Sequence, residues 1–421
     1  MTLFERWEIV AAQNNPSAIV LRDPGNAWSF SDLRKLLAGR PRATVPVVVR
    51  GNGVDFILGT LTAWRDRQPL VPVESNDAAP ALADLPDWVA HVKTTSGSTG
   101  TPRQILFREE QLAADAGQIV ATMNLRAGLP NLGAISLAHS YGFSNLVLPL
   151  LLHGIPLILA ETPLPNAIRR ALDSGDAFSL PAVPAMWRAW HDAGVISGKI
   201  AIAISAGAPL STDLERDVFE TTGVKIHNFL GSSECGGIAY DRSPEPRDSG
   251  TDWIGTAMQG ATLTTGEQGT LQVRSPAVGE TYWPEPAEAL HDGVFITSDL
   301  AVVDETGVYL KGRETDVINV AGRKIDPAEI ENVLARHPAV RHVVVFGRAS
   351  SHPERVEDIV AVLNAPESDL DAVKNHARER LTAWKVPRIW ITDATLEPDA
   401  RGKISRSAWK ERARLGLPQV D

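Results

Sequence analysis

Cysteine is nearly missing from this chain: Cys235 stands alone among 421 residues, so no internal disulfide can form and a reducing cytoplasm is the expected setting. Basic residues are also in deficit, with 41 Lys and Arg against 51 Asp and Glu. The resulting charge of −10 argues against nucleic acid as a partner, although a local basic patch could still hold a phosphate. Long apolar runs are lacking too. The most apolar stretch, NLVLPLLLHGIPLILA from Asn145, is broken by Pro149, His153, Gly154 and Pro156, which reads as buried helix and strand and not as a membrane span. The N-terminus has neither the basic start nor the apolar centre of a signal peptide. Its Leu3, Phe4, Trp7, Val10 and Ala11 recur at helical spacing instead, so an amphipathic helix is expected and export is not.

What the chain does have is bulk for two or three domains, with 43% hydrophobic residues and a mean hydropathy of −0.08. Short apolar runs at 45–49 (VPVVV), 199–205 (KIAIAIS) and 342–347 (HVVVFG) read as buried strands, with helical patterns such as 211–223 (STDLERDVFETTG) between them. That alternation predicts an α/β fold. From Thr251 the pattern shifts to short Gly- and Asp-punctuated segments, read as a small antiparallel β subdomain. After Arg313 come helix-like 325–337, strand-like 340–347 and helix-like 367–381, a compact α+β tail.

One loop stands out: 94–103, TTSGSTGTPR, sets six small hydroxyls and two glycines ahead of a proline and an arginine. Such a backbone can approach a ligand closely and offers many donors, which suits a phosphate. The loop is no Walker A sequence, because no lysine follows Gly100. Further unusual strings follow in order: LAHSYGFSN at 137–145, SAGAPL at 205–210, NFLGSSE at 228–234, TSDL at 297–300, YLKGRETDVINVAGRKIDPAEIE at 309–331 and RGKISR at 401–406.

Taken together these strings resemble the adenylate-forming superfamily of acyl- and aryl-CoA synthetases, aryl-acid ligases and adenylation domains, over nearly the whole span from Thr94 to Arg406. The resemblance implies that a carboxylate attacks the α-phosphate of Mg-ATP to give acyl-AMP and pyrophosphate, after which a pantetheine thiol of CoA or an acyl carrier protein takes the acyl group. It further implies a large N-terminal domain, 1–314, whose first subdomain (roughly 1–93) is reduced, and a mobile C-terminal domain, 315–421.

Residue roles carry over by the same resemblance. Thr95, Ser96, Gly97, Ser98, Thr99 and Gly100 would cradle the β- and γ-phosphates, with Arg103 where the family has lysine. Asn228 and Phe229 open the string that ends in the hydroxyl of Ser233 and the magnesium ligand Glu234; Leu230 replaces an aromatic residue there. Asp299 and Arg313 fall on the ribose contacts. Lys403 would be the cation that bridges the carboxylate and the α-phosphate. Gly322 and Lys324 lie on the thiol-transfer loop, and Thr315 occupies the hinge.

For the acid, the string 137–145 holds no carboxylate to pair with an ammonium, which disfavours an α-amino acid. It resembles the string of aryl-acid ligases, with Ser140 placed to meet a ring hydroxyl and His139 and Tyr141 as pocket walls. Ala206, Gly207, Ala208, Gly231 and Gly236 complete the expected pocket, and a hydroxybenzoate-like acid is the expected substrate. Basic candidates near the acceptor path are Arg323, Lys324 and Lys385. Two alternatives accompany this reading: an amine acceptor, or a non-catalytic homologue that binds nucleotide or an acyl group.

Overall fold

The computed structural model describes residues 1–75, 77–82, 84–94, 103–266, 268–313, 316–320, 323–350, 356–398 and 404–414. Its fold is α/β, as the alternation predicts. At the centre of a 14-stranded sheet, Ile200–Ser205 runs parallel to Phe178–Ala182 on one side and Ile226–Ser232 on the other. Asn131–Gly133, Leu157–Leu159 and Ile19–Arg22 continue the parallel run. Beyond Ile226–Ser232 the pairing turns antiparallel through Gly236–Tyr240, Trp253–Ala257, Gly307–Arg313, Val294–Asp304 and Thr270–Arg274. The antiparallel segments expected after Thr251 are therefore hydrogen-bonded onto the parallel sheet.

A second sheet of five strands brings distant segments to the phosphate loop. Val47–Val49, Leu70–Pro72 and His91–Thr94 run parallel, then Gln104–Phe107 and Thr281–Trp283 add antiparallel. The expectation of a buried strand at 45–49 needs correction: Val47–Val49 is the edge strand of this sheet, leaving Val48 39% and Val45 65% exposed. A tail sheet is built from His342–Ala349, Glu357–Asn364 and Ile389–Thr392.

The helices follow their local signals. Leu3–Gln13 starts on a capping box between Thr2 and Glu5 and buries Leu3, Trp7 and Ala11, the stripe read from its spacing. Thr212–Thr222 begins at the Ser211 cap and ends on Gly223, whose φ of 73° is left-handed. The apolar stretch from Asn145 is a π-turn, Phe143–Val147, then a helix, Leu148–His153, stopped by left-handed Gly154, then the strand Leu157–Leu159. Among the described residues no helix is long and apolar enough to cross a membrane. In the tail, Pro327–Leu334 and Leu370–Arg380 pack on their own core of Ile330, Leu334, Val345, Ala361 and Val373.

Candidate active site

Thr94 and Gln104 are register partners, so residues 95–103 form the link between two paired strands. Thr95 to Gly100 lie outside the described residues, but Arg103 is placed: its guanidinium sits 5.3 Å from the ring centroid of Tyr282. Tyr282 is the partner of Ile105 across the Thr281–Trp283 edge. From there the Tyr282 hydroxyl donates to Glu234 Oε1 at 3.1 Å, and burial, then the Glu234 charge, push the phenol well above its ordinary range. Arg103, Tyr282 and Glu234 thus form one group next to the Gln104 end of the paired strands.

Glu234 sits with Ser233 and Cys235 on the turn between Ile226–Ser232 and Gly236–Tyr240. The Gly279 amide pins that turn by donating to the Glu234 carbonyl at 2.7 Å. Among the described residues no group of three or more His, Cys, Asp or Glu side chains could hold a metal. A single partly exposed carboxylate fits a hard cation that keeps waters and phosphate oxygens as its other ligands, so Glu234 suits magnesium.

The expected ribose contacts come together. Asp299 and Arg313 are register partners on Val294–Asp304 and Gly307–Arg313, and Arg313 Nε donates to Asp299 Oδ1 at 2.7 Å. Asn228 and Phe229 are buried, and the Asn228 carbonyl accepts from the Asp241 amide at 2.9 Å. Behind that strand lies a buried charge network. Lys225 Nζ donates to Asp241 at 2.6 Å and pairs with Glu215, which also accepts from Arg247 Nε at 2.8 Å.

In the expected acid pocket, His139, Ser140 and Tyr141 are partly exposed, and the His139 Nδ1 accepts from the Tyr141 amide at 3.2 Å. The Tyr141 hydroxyl points into the sheet, donating to the carbonyls of Ile204 at 3.3 Å and Ala182 at 3.4 Å, so its ring is what it offers as a wall. That ring lies 6.0 Å from Phe229. Gly207 (φ 86°) and Gly231 are exposed, Ala208 partly so, while Ala206 is buried. Gly236 turns inward: a Cβ there would stand 2.1 Å from an Asp115 carboxylate oxygen.

In the tail, Thr315, Gly322 and Lys403 lie outside the described residues. Further along, Arg406 ion-pairs with Asp316 and makes a two-pronged contact with Glu331 at 2.8 and 2.9 Å. Asp316, next to the expected hinge Thr315, and Arg406, three residues past Lys403, are thereby tied. The backbone of Lys324 belongs to the short ribbon Arg323–Ile325, and Arg323 stacks 5.0 Å from the Trp384 ring. Lys385 is engaged with Glu329 at 2.5 and 2.7 Å, so it is less available to an acceptor than its position in sequence suggests.

Sequence reasoning missed Tyr282, Lys93 and Asp115. Lys93 Nζ and Asp115 Oδ2 lie 4.0 Å apart, with the side chains 5% and 2% exposed. Burial pushes the Lys93 ammonium down and the Asp115 carboxyl up, each opposed by the other's charge. Burial, then Lys93, hold His91 well below its ordinary range, so it adds no second cation beside the pair.

The AMP-binding enzyme family profile matches residues 10–283, and the AMP-binding enzyme C-terminal domain profile matches residues 329–403. The chain belongs to the AMP-binding enzymes. This bears out the adenylate-forming resemblance read from the strings. Similar AMP-binding enzymes include feruloyl-CoA synthase of Amycolatopsis sp, 28% identical over 391 residues that cover 88% of this chain and 77% of that protein. Long-chain-fatty-acid–CoA ligase of Bacillus subtilis is 26% identical over 339 residues; the match covers 76% of this chain but spans only 60% of that relative's length. In fold, the chain resembles o-succinylbenzoate CoA synthetase from Bacillus subtilis in complex with its acyl-adenylate intermediate, with a TM-score of 0.84, 18% identity and 99% of each chain covered.

Proposed function

We propose that this AMP-binding enzyme is an ATP-dependent ligase that converts a carboxylic acid to acyl-AMP and passes the acyl group to the thiol of CoA. The observation that carries the reading is the Arg103–Tyr282–Glu234 group beside the paired ends of the hydroxyl loop. Glu234 would hold magnesium, which when bound supplies neutralisation of phosphate charge. Arg103 would face the departing pyrophosphate, and the hydrogen-bonded Asp299–Arg313 pair would hold the ribose. Lys403 is assigned to the carboxylate and α-phosphate. The division at 314/315, with a tail that rotates to exchange Lys403 for Gly322 and Lys324, belongs to this proposal. Compatible with it, the Arg336–Asp213 contact across the two parts is a half-exposed ion pair at 3.3 Å, a weak latch.

The acid is proposed to be aromatic, of the hydroxybenzoate kind. The Tyr141 and Phe229 rings support this, as do relatives named for ferulate and for benzoate. A buried carboxylate does lie behind Ser144, but Asp115 already faces Lys93, so it is no free partner for a substrate ammonium. CoA is the favoured acceptor because relatives are named for CoA thioester formation with fatty acid, ferulate and benzoate; a carrier protein is the variant reading, and the cytoplasm is the proposed setting. The test is incubation of the protein with Mg-ATP, CoA and a panel of benzoic, cinnamic and fatty acids, read by mass spectrometry. Aryl-CoA with stoichiometric AMP is expected; thioester from aliphatic acids alone would overturn the aromatic assignment.

A further inference from the structure

Lys93 belongs to the strand His91–Thr94, immediately ahead of the hydroxyl loop. Asp115 belongs to the helix Glu109–Thr122 beneath it. The Asp115 carboxylate meets three chain segments far apart in sequence. Lys93 approaches from the phosphate-loop strand, with its ammonium also 4.6 Å from the Phe107 ring centroid. Ser144 Oγ, on the π-turn behind the acid pocket, donates to Asp115 Oδ2 at 2.5 Å. Gly236, two residues after Glu234, lies so close that only a residue without a Cβ fits, and its φ of 67° is left-handed as well. Ion pairs this deeply buried are poor sources of stability, because desolvation offsets their attraction, and an apolar pair often serves as well or better. A role in fixing position accounts for the pair where stability does not.

We propose that Lys93 and Asp115 are positioning residues that hold the phosphate-loop strand, the Glu234 turn and the acid-pocket π-turn in one register. Neither touches substrate; they act through Thr94, Ser144 and Gly236. Asp115 is the hub because its carboxylate is shared by all three segments, and Lys93 balances its charge where water does not reach.

The inference rests on the adenylation reading, and the experiment separates the two. ATP–pyrophosphate exchange is measured on the full chain for the parent, Lys93→Met, Asp115→Asn, the double variant Lys93→Met/Asp115→Leu, and Ser144→Ala, with KM for Mg-ATP, KM for the acid, kcat and the thermal midpoint for each. Removing supporting groups of this kind commonly costs about 10- to 100-fold, and that range is expected in KM for Mg-ATP for both single variants. The decisive protein is the double variant: it should melt at or above the parent, since this site then holds no buried charge, yet keep the raised KM. A double variant with parental stability and a KM within about twofold of parental, well below that range, would overturn the proposal and leave the pair as packing. If the pair variants do not fold, Ser144→Ala decides, through a raised KM for the acid if the proposal holds and an unchanged one if it fails. A parent without exchange for any acid overturns both readings; an active parent with unaltered variants overturns this one alone.

Discussion

The hydroxyl of Tyr282 donates to the carboxylate of Glu234 at 3.1 Å, linking an edge strand of the five-stranded sheet to the turn that follows the last parallel strand of the larger one. This bond sets the direction of the proposed magnesium ligand, with Arg103 over the same ring. Tyr282→Phe keeps the ring and its contact with Arg103 but frees the carboxylate to rotate. Outer-shell partners of metal ligands are commonly worth about 10- to 100-fold, so the magnesium concentration giving half-maximal pyrophosphate exchange should rise by about tenfold. An unchanged magnesium titration would assign the tyrosine to packing alone.

Asp299 and Arg313 should behave as one nucleotide contact. Hydrogen bonds to charged groups are typically worth about 1.5–3 kcal/mol, so Asp299→Ala should raise KM for ATP by about 10- to 100-fold while leaving KM for the acid unaltered. Arg313→Lys keeps the charge but loses the planar fork and should recover only part of the affinity. Isothermal titration with ATP would read both.

How much of this was legible in sequence depends on whether the signal was local. The hydroxyl loop, the Ser211 and Gly223 ends of their helix and the Leu3–Trp7–Ala11 stripe each depend on neighbouring residues, and each was visible. Asp299 and Arg313 were legible through their strings, and the strand register then explains why they meet. Tyr282 was not, because its role arises from the pairing of Thr281–Trp283 with Gln104–Phe107, which joins segments about 175 residues apart. Lys93 and Asp115 sit in a strand and a helix whose local patterns give no hint that the two are buried against each other. Val48 was misread because an edge strand and a central one share the same apolar run.

Behind the nucleotide strand, Glu215 is fully buried between Lys225 and Arg247. Removing one partner of such a network leaves uncompensated charge, so Glu215→Gln should cost about 3–5 kcal/mol. Urea unfolding of the variant checks this, and a loss below about 1 kcal/mol, the range of exposed pairs, would show that the remaining groups rearrange freely.

Acid stability should depend on Asp66, whose side chain is buried. It accepts from Arg65 at 2.7 and 2.9 Å, from Arg42 at 2.6 Å and from the Ala43 amide at 2.7 Å. The Arg65 hydrogen bonds, above all, hold its carboxyl well below the usual carboxylate range. A group depressed in the folded state stabilises fully above its unfolded value, about 3.9, and loses that contribution as the pH falls through the lower folded value. Asp66→Asn should therefore destabilise the protein at neutral pH and make its thermal midpoint fall less steeply on acidification. Parallel midpoint curves from pH 7 to pH 3 for variant and parent would remove Asp66 from the acid response.

ATP–pyrophosphate exchange driven by an aromatic acid, compared between the parent and Glu234→Gln, tests the central claim most directly. Glutamine keeps the size and an oxygen at Glu234 but removes the charge that suits a hard cation. The account predicts acid-dependent, magnesium-dependent exchange in the parent and a loss of about 100-fold or more in the variant, in line with removing one preorganised electrostatic group. Absence of exchange in the parent with every acid, or equal exchange in the two proteins, would contradict it.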